Sequence, residues 1–502
     1  MNSHVVIIGA GIGGLALAAR LAHDGYRVDV FEKNTFPGGR VAQKKIKGYT
    51  IDVGPTFLLM PREFEELFSY CGESFSDAVE LERLSPLYRL HYTGMKHLDV
   101  HDSLPLMRKS FYEWDAIHAE KNTQGFIDFL SHEQEKYPRI YEKFIAKPAR
   151  SVASLLFSPD VLELFRLDGF SSMWENISTY FDDDALKLAF SFQSMYIGES
   201  PFVAPGTYSM IPFVELTQGV WFPKKGIQHV LLQIEKLAKK KGARIHYGKK
   251  INQILIEDGK AIGIELENGE KILFDVVVSN LDLPATYDRL LPKEKKKKYT
   301  SERLARMRYG SSAFLLFIGT KKKYAQLEHH NVFFSDDYKK NFDEIFRTRT
   351  IPNDPSVYVN VPTKTNPRLA PKGKQLLYVL APVPYDAQHE GKPVEWSTFK
   401  EEYAQTILTL LEKRGLGDLR KNIDLLEIFT PEDWQSLAGM HLGSTFGLSP
   451  TFGQSSVFRP KQKSEEAENL YFVGASTHPG SGMPLVLVSA RTCQALIREK
   501  NK

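Results

Sequence analysis

Cysteine is nearly absent. Cys71 and Cys493 are the only two, they lie far apart, and no CxxC pair occurs. That excludes a disulfide framework, a zinc-thiolate site and a redox dithiol, and it reads as two reduced thiols of a cytoplasmic chain. Long apolar runs are missing too: Ala313–Ile318 and Met483–Val488 are the best candidates, far short of the ~18 residues of a membrane span. Neither sign of charge dominates. Lys+Arg number 65 and Asp+Glu 61, a balance of +4 that gives no argument for nucleic acid and does not oppose an anionic membrane surface. There is no HExxH, no recognisable Ser/His/Asp arrangement, no internal repeat and no low-complexity linker, so no metal site is expected. What remains is 502 residues of ordinary globular composition, 42% hydrophobic and 25% charged, which excludes a disordered chain. At roughly 150 residues per domain, two to four domains are expected, with cores large enough to need no staple.

Val5–Ala22 is apolar and rich in small residues, but no basic stretch precedes it and its glycines have a fixed spacing, so it is not read as a signal peptide. Val5-Val6-Ile7-Ile8 is an unbroken β-branched run, the mark of a strand covered on both faces. Gly9, Gly11 and Gly14 follow as GxGxxG, Leu15–His23 reads as a helix, Arg27–Phe31 as a second strand, and Glu32 stands at its end, 18 residues beyond Gly14. In such a βαβ unit the first glycine permits the tight turn, the second lets the backbone approach a pyrophosphate, and the third lets helix and sheet pack closely. The helix N-terminus offers unpaired N–H groups to phosphate. An acid at this spacing accepts hydrogen bonds from an adenosine ribose, and the placement between strand and helix makes the pattern specific.

Phe36-Pro37-Gly38-Gly39-Arg40 adds a second glycine turn ending in a cation. A guanidinium there can neutralise a pyrophosphate through its planar fork, and with the βαβ unit it makes the expected dinucleotide FAD rather than NAD.

These residues, with Asp52-Val53-Gly54-Pro55-Thr56, resemble the flavin amine oxidase and phytoene desaturase superfamily. Asn469–Pro484, containing Gly474-Ala475-Ser476-Thr477-His478-Pro479-Gly480-Ser481-Gly482-Met483, resembles the C-terminal signature of bacterial carotenoid desaturases; Gly219–Pro223, Leu380–Pro384 and Gly443–Gly447 agree. Within the family the sequence is most similar to dehydrosqualene (4,4'-diapophytoene) desaturases of Gram-positive bacteria, with C40 phytoene desaturases next. The resemblance implies an α/β fold: a Rossmann-like FAD-binding domain with an inserted mixed α+β substrate domain. The flavin domain is expected to be discontinuous, about 1–62, 224–285 and 455–502, with a helix-rich substrate and membrane-facing region at 63–223 and a mixed α+β region at 286–454. The backbone near Ile251, the loop Gly474–Gly482 and the helix starting at Met483 would then contact the cofactor, that helix's N-terminus favouring negative charge on the ring. An acid that binds the ribityl chain in many two-dinucleotide flavoproteins is missing, because Ala475 and Ser476 follow Gly474.

The implied reaction is hydride removal from a linear, lipid-soluble polyisoprenoid, with O₂ or a quinone as final acceptor. Phe192, Met195, Tyr196, Phe213, Trp221 and Phe222 are candidates for an apolar wall. A proton must leave after the hydride; His478 and Glu215 are candidate bases, and neither is assigned as catalytic. The lysine clusters 239–241, 295–298 and 321–323 could attract an anionic bilayer, at up to ~1 kcal/mol per charge, giving a peripheral membrane protein. Three alternatives stay open: a carotenoid oxygenase acting on terminal methyls, a non-enzymatic isoprenoid-binding chaperone, and an amine oxidase.

Overall fold

The computed structural model describes residues 3–148 and 167–500. The apolar run His4–Ile8 is the centre of a parallel five-stranded sheet, in the order Leu470–Phe472, Val276–Ser279, His4–Ile8, Arg27–Phe31, Arg244–His246. Successive side chains leave on opposite faces. Val5 and Ile7 join a core with the helices Ile12–His23, Ile227–Lys240 and Met483–Lys500. Val6 and Ile8 join another, formed with the antiparallel strands Ile251–Glu257, Lys260–Leu266 and Lys271–Leu273 and the helix Leu283–Leu290. Both faces are covered, which is why the strand needs no polar alternation.

A second, seven-stranded sheet runs Ile423–Phe429, Ser312–Thr320, Gln375–Val383, Val357–Asn360, His330–Phe333, Tyr88–His91, His97–Val100. Every pairing is antiparallel except the parallel one between His330–Phe333 and Tyr88–His91. The region 63–223, expected to be helix-rich, therefore supplies the last two strands of this sheet as well as the helices Leu104–Trp114 and Ala119–Ile140. Part of that region, 149–166, lies outside the described residues. Phe314, Leu316 and Ile318 pack toward the helix Trp396–Lys413, whereas Ala313, Leu315 and Phe317 face the opposite side.

The hairpin Gln43–Ile46/Tyr49–Asp52 packs Tyr49 and Ile51 against the second sheet. Gly319 lies against the Tyr49 ring so closely that a Cβ would stand 2.4 Å from it, and the Tyr49 hydroxyl donates to Asp424 at 3.0 Å. Farther along, Asp52 accepts from the backbone N–H groups of Ile227 (2.6 Å) and Gln228 (3.3 Å), satisfying two orphan donors of that helix N-terminus. Because Tyr49 is fully buried and cannot swing aside, Gly319→Ala is expected to cost about 1–3 kcal/mol through overpacking. Urea unfolding midpoints of the two proteins measure it.

Candidate functional site

The GxGxxG turn is built around a residue that carries no sequence signal. Asn280, just past the strand Val276–Ser279, projects into the turn and donates from Nδ2 to the Gly9 carbonyl at 3.4 Å. A Cβ on Gly11 would stand 2.8 Å from its Nδ2, one on Gly13 2.7 Å from its Oδ1, and one on Gly14 2.3 Å from the Gly9 oxygen. Gly9 itself has φ +99°, a conformation that glycine adopts without strain. Glu32, 6% exposed, accepts from the N–H groups of Ala10 (2.8 Å) and Asn34 (2.9 Å). Each carboxylate oxygen keeps a lone pair for a further donor. A groove of about 350 Å³ passes over this turn, and Gly9, Gly11, Glu32, Gly39, Arg40, Ile251, Asn280 and Gly474 line it; Gly14 lies beneath as the packing glycine.

Arg40 closes one end of the groove. Gly38 (φ +145°) and Gly39 (φ +55°) turn the chain into it, and a Cβ on Gly54 would stand 1.8 Å from its carbonyl oxygen. The two glycine-containing stretches of sequence are thus one packed unit. The Arg40 Nε donates to the Met440 sulfur at 3.1 Å, and among the described residues no carboxylate comes within ion-pair distance. Burial pushes its pKa down, opposed by the charge of Asp282. Asp282 also lines the groove; its Oδ2 accepts from the His441 N–H at 3.1 Å, while its buried Oδ1 has no partner.

Beyond Arg40 lies an apolar chamber of about 370 Å³. Ile12, Arg40, Val41, Ala475 and Val486 line both spaces, so groove and chamber share a wall. Gly482 and Met483, at the start of the helix Met483–Lys500, line the chamber, as do Phe192, Met195 and Tyr196. Phe213 and Trp221 do not. In the helix Met210–Gln218 the residues Met210, Ile211 and Val214 face the chamber, and Phe213 turns aside onto the Tyr137 ring, 5.6 Å between centroids. Trp221 belongs to a strand paired with Leu81–Arg83 and donates from its indole to the Gln218 carbonyl at 2.8 Å. Among the described residues Arg40 is the only charged side chain in the chamber wall, and no carboxylate lines it.

Residues 12–497 match the flavin-containing amine oxidoreductase family. The chain belongs to that family. It is 39% identical over 489 residues to a zeta-carotene-forming phytoene desaturase of Myxococcus xanthus, covering 97% of this chain and 92% of that protein. It is 34% identical over 503 residues to a 4,4'-diapolycopene-forming 4,4'-diapophytoene desaturase of a Methylomonas species, covering 100% and 96%. Among solved structures, an oxidoreductase from Methanosarcina mazei shares the fold with a TM-score of 0.63 at 20% identity, over 99% of this chain and all of that one.

The residues present fit the flavin dinucleotide of this oxidoreductase family. The glycine cradle has no room for side chains, Glu32 has acceptor capacity to spare, Arg40 has no carboxylate partner, and Asp282 Oδ1 is an unused acceptor in the groove wall. The two candidate bases fit less well. His478, 3% exposed, sits outside both spaces; its Nε2–H donates to the Lys147 carbonyl at 2.9 Å, and burial lowers its pKa to about 4. Glu215 lies behind the chamber wall, fully buried, accepting from the Tyr88 hydroxyl at 2.9 Å. Burial pushes its pKa up to about 8, against the hydrogen bonds of Tyr88, Gln193 and Tyr196, so at neutral pH it already carries a proton and cannot accept another.

Replacing Glu32 by Ala is expected to weaken FAD binding about 10–100-fold, the loss of one to two charge-assisted hydrogen bonds, with the chain still folded. Arg40→Ala is expected to release flavin on gel filtration; titration of apoprotein followed by circular dichroism checks both. For Glu215 the folded pKa lies above the unfolded value of about 4.3, so its contribution to stability is complete below that pH and is lost as pH rises through about 8. Glu215→Gln should therefore gain on the wild type between pH 5 and pH 9, read from urea midpoints at both.

Proposed function

We propose that the protein is an FAD-dependent desaturase of a linear C30 or C40 carotenoid precursor. The observation that carries this is the chamber: an apolar space, without a carboxylate among the described residues, that shares a wall with the dinucleotide groove. A polyamine would leave its ammonium groups without a counter-ion there, which argues against an amine oxidase. A chaperone without flavin would have no use for an unpaired Arg40 beside a glycine cradle. The relatives named above, one acting on phytoene and one on diapophytoene, support both chain lengths.

The discontinuous flavin domain would hold the cofactor on Gly9, Gly11, Gly14, Glu32, Gly39, Arg40, Ile251, Gly474, Gly482 and Met483. Asp282 would supply the acceptor that the sequence lacks after Gly474. When bound, the flavin supplies hydride acceptance, for which no side chain substitutes. The chain's own residues orient the polyene along Phe192, Met195 and Tyr196 and keep water out. O₂ or a quinone would be the final electron acceptor of the reaction.

A substrate that dissolves only in lipid implies a peripheral membrane protein. Among the described residues no helix is long and apolar enough to cross a membrane. Two of the lysine clusters are partly neutralised, Lys240 by Glu73 at 2.6 Å and Lys298 by Glu465. Better support comes from exposed Phe170, Phe452 and Phe458, with ring centroids 5.2 and 5.8 Å apart, beside Ser455, which is bonded to Tyr208 of the chamber wall.

Expression in cells that supply either dehydrosqualene or phytoene, followed by pigment extraction and mass analysis, tests the reading. A polyene lighter than its precursor by pairs of hydrogens is expected, and the precursor consumed fixes the chain length. Product carrying oxygen from O₂ would identify the oxygenase instead.

A further inference from the structure

We propose that Tyr358, backed by His330, is the proton acceptor of the desaturation. The inference rests on the desaturase reading above and names the group which that reading leaves open. Removal of a hydride leaves an allylic cation, and this must lose a proton from the adjacent carbon to become a double bond. Among the described residues the chamber wall has no carboxylate, Glu215 is already protonated, and His478 lies elsewhere. What the wall does have is hydroxyl groups. Among the described residues Tyr358 is the only tyrosine of the wall whose hydroxyl meets a basic nitrogen.

Tyr358 is half-buried on the strand Val357–Asn360, facing the chamber. Its Oη lies 2.6 Å from His330 Nδ1 and 2.6 Å from Thr56 Oγ1. The Asn360 amide also donates to that Nδ1, at 3.1 Å, so the nitrogen is an acceptor and the tyrosine hydroxyl is its donor. The phenol oxygen then accepts from Thr56 and keeps one lone pair for the chamber. His330 is 2% exposed, and burial beside His329 keeps it neutral. Thr56 lies two residues beyond Gly54, which packs on the Arg40 carbonyl, so the hydroxyl stands toward the end of the chamber that adjoins the groove. That is the end from which a hydride must leave.

The step balances. The C–H bond of the cation breaks and its electron pair becomes the new C=C bond. The proton bonds to Tyr358 Oη as the tyrosine's own proton passes to His330 Nδ1. The positive charge moves from the allylic carbons to the imidazole, and the tyrosine ends neutral. A weak base suffices, because an allylic cation is a very strong acid.

The test uses purified flavin-loaded enzyme on precursor dispersed in phosphatidylcholine liposomes, with initial rates of polyene formation expressed per bound flavin. Tyr358→Phe removes one oxygen and is expected to slow the rate at least about 100-fold, the ordinary worth of a positioned base. His330→Asn keeps an acceptor oxygen near the Nδ1 position but no basic nitrogen. A purely structural bond would be rescued by it, whereas the relay predicts a comparable loss. Wild-type rates per flavin in either variant would overturn the relay and leave the desaturase intact. Absence of any desaturated product from the unmodified enzyme would overturn the reading of function, and the relay with it.

Discussion

Gly54 and Arg40 meet backbone to backbone with no room for a methyl group between them, and the working parts of the molecule hang on that contact. On one side of it, Gly38 and Gly39 swing the Arg40 side chain into the wall shared by groove and chamber. On the other, Asp52 fastens the N-terminus of a core helix and Thr56 reaches the Tyr358 hydroxyl across the second sheet. The single segment Gly38–Thr56 thereby sets the position of a cation, a helix and a hydroxyl relative to one another. Interiors are close-packed and transmit strain, so a shift at this contact would be felt in both spaces at once.

The charges around the contact explain why the site is unbalanced as it stands. Among the described residues Arg40 has sulfur and no carboxylate within hydrogen-bonding reach, and Asp282 has a buried oxygen with no donor; Arg459, 3% exposed, donates to the carbonyls of Thr477 (3.2 Å) and Ala475 (2.7 Å). Burying polar groups without partners costs roughly 1–3 kcal/mol each, and a fold tolerates that where a ligand supplies the partner. A dinucleotide brings two phosphate charges and several sugar hydroxyls, the complement of this set.

The legible part of the sequence was the local part. Gly9, Gly11, Gly14 and Glu32 lie within one βαβ unit, and their spacing follows from the strand, turn and helix that they build. Asn280 could not be found that way: it wedges into the turn from 271 residues along the chain. The strand Tyr88–His91 alternates apolar and polar residues but is only four residues long, and its parallel partner, His330–Phe333, is remote in sequence, so the pattern alone does not announce it. Phe192 and Phe213 look alike as aromatics, yet only the first lines the chamber, since the helix carrying Phe213 presents Met210, Ile211 and Val214 instead. Composition selects which residues are apolar; it does not select which apolar face meets a cavity.

The same chamber explains how a cation could survive long enough to be deprotonated rather than captured. A carboxylate in the wall could bond to an allylic cation, and water would hydrate it. The wall instead offers the rings of Phe57, Phe192 and Tyr196, with Phe57 and Tyr196 at 5.2 Å and Phe192 and Tyr196 at 5.8 Å, and aromatic rings can stabilise cations without forming bonds to them. Glu215 is held off behind Tyr88 and Tyr196 and kept protonated by burial. Among the described residues a weakly basic hydroxyl is then the strongest proton acceptor in the wall, and proton loss, which extends conjugation, is the outcome such a wall favours.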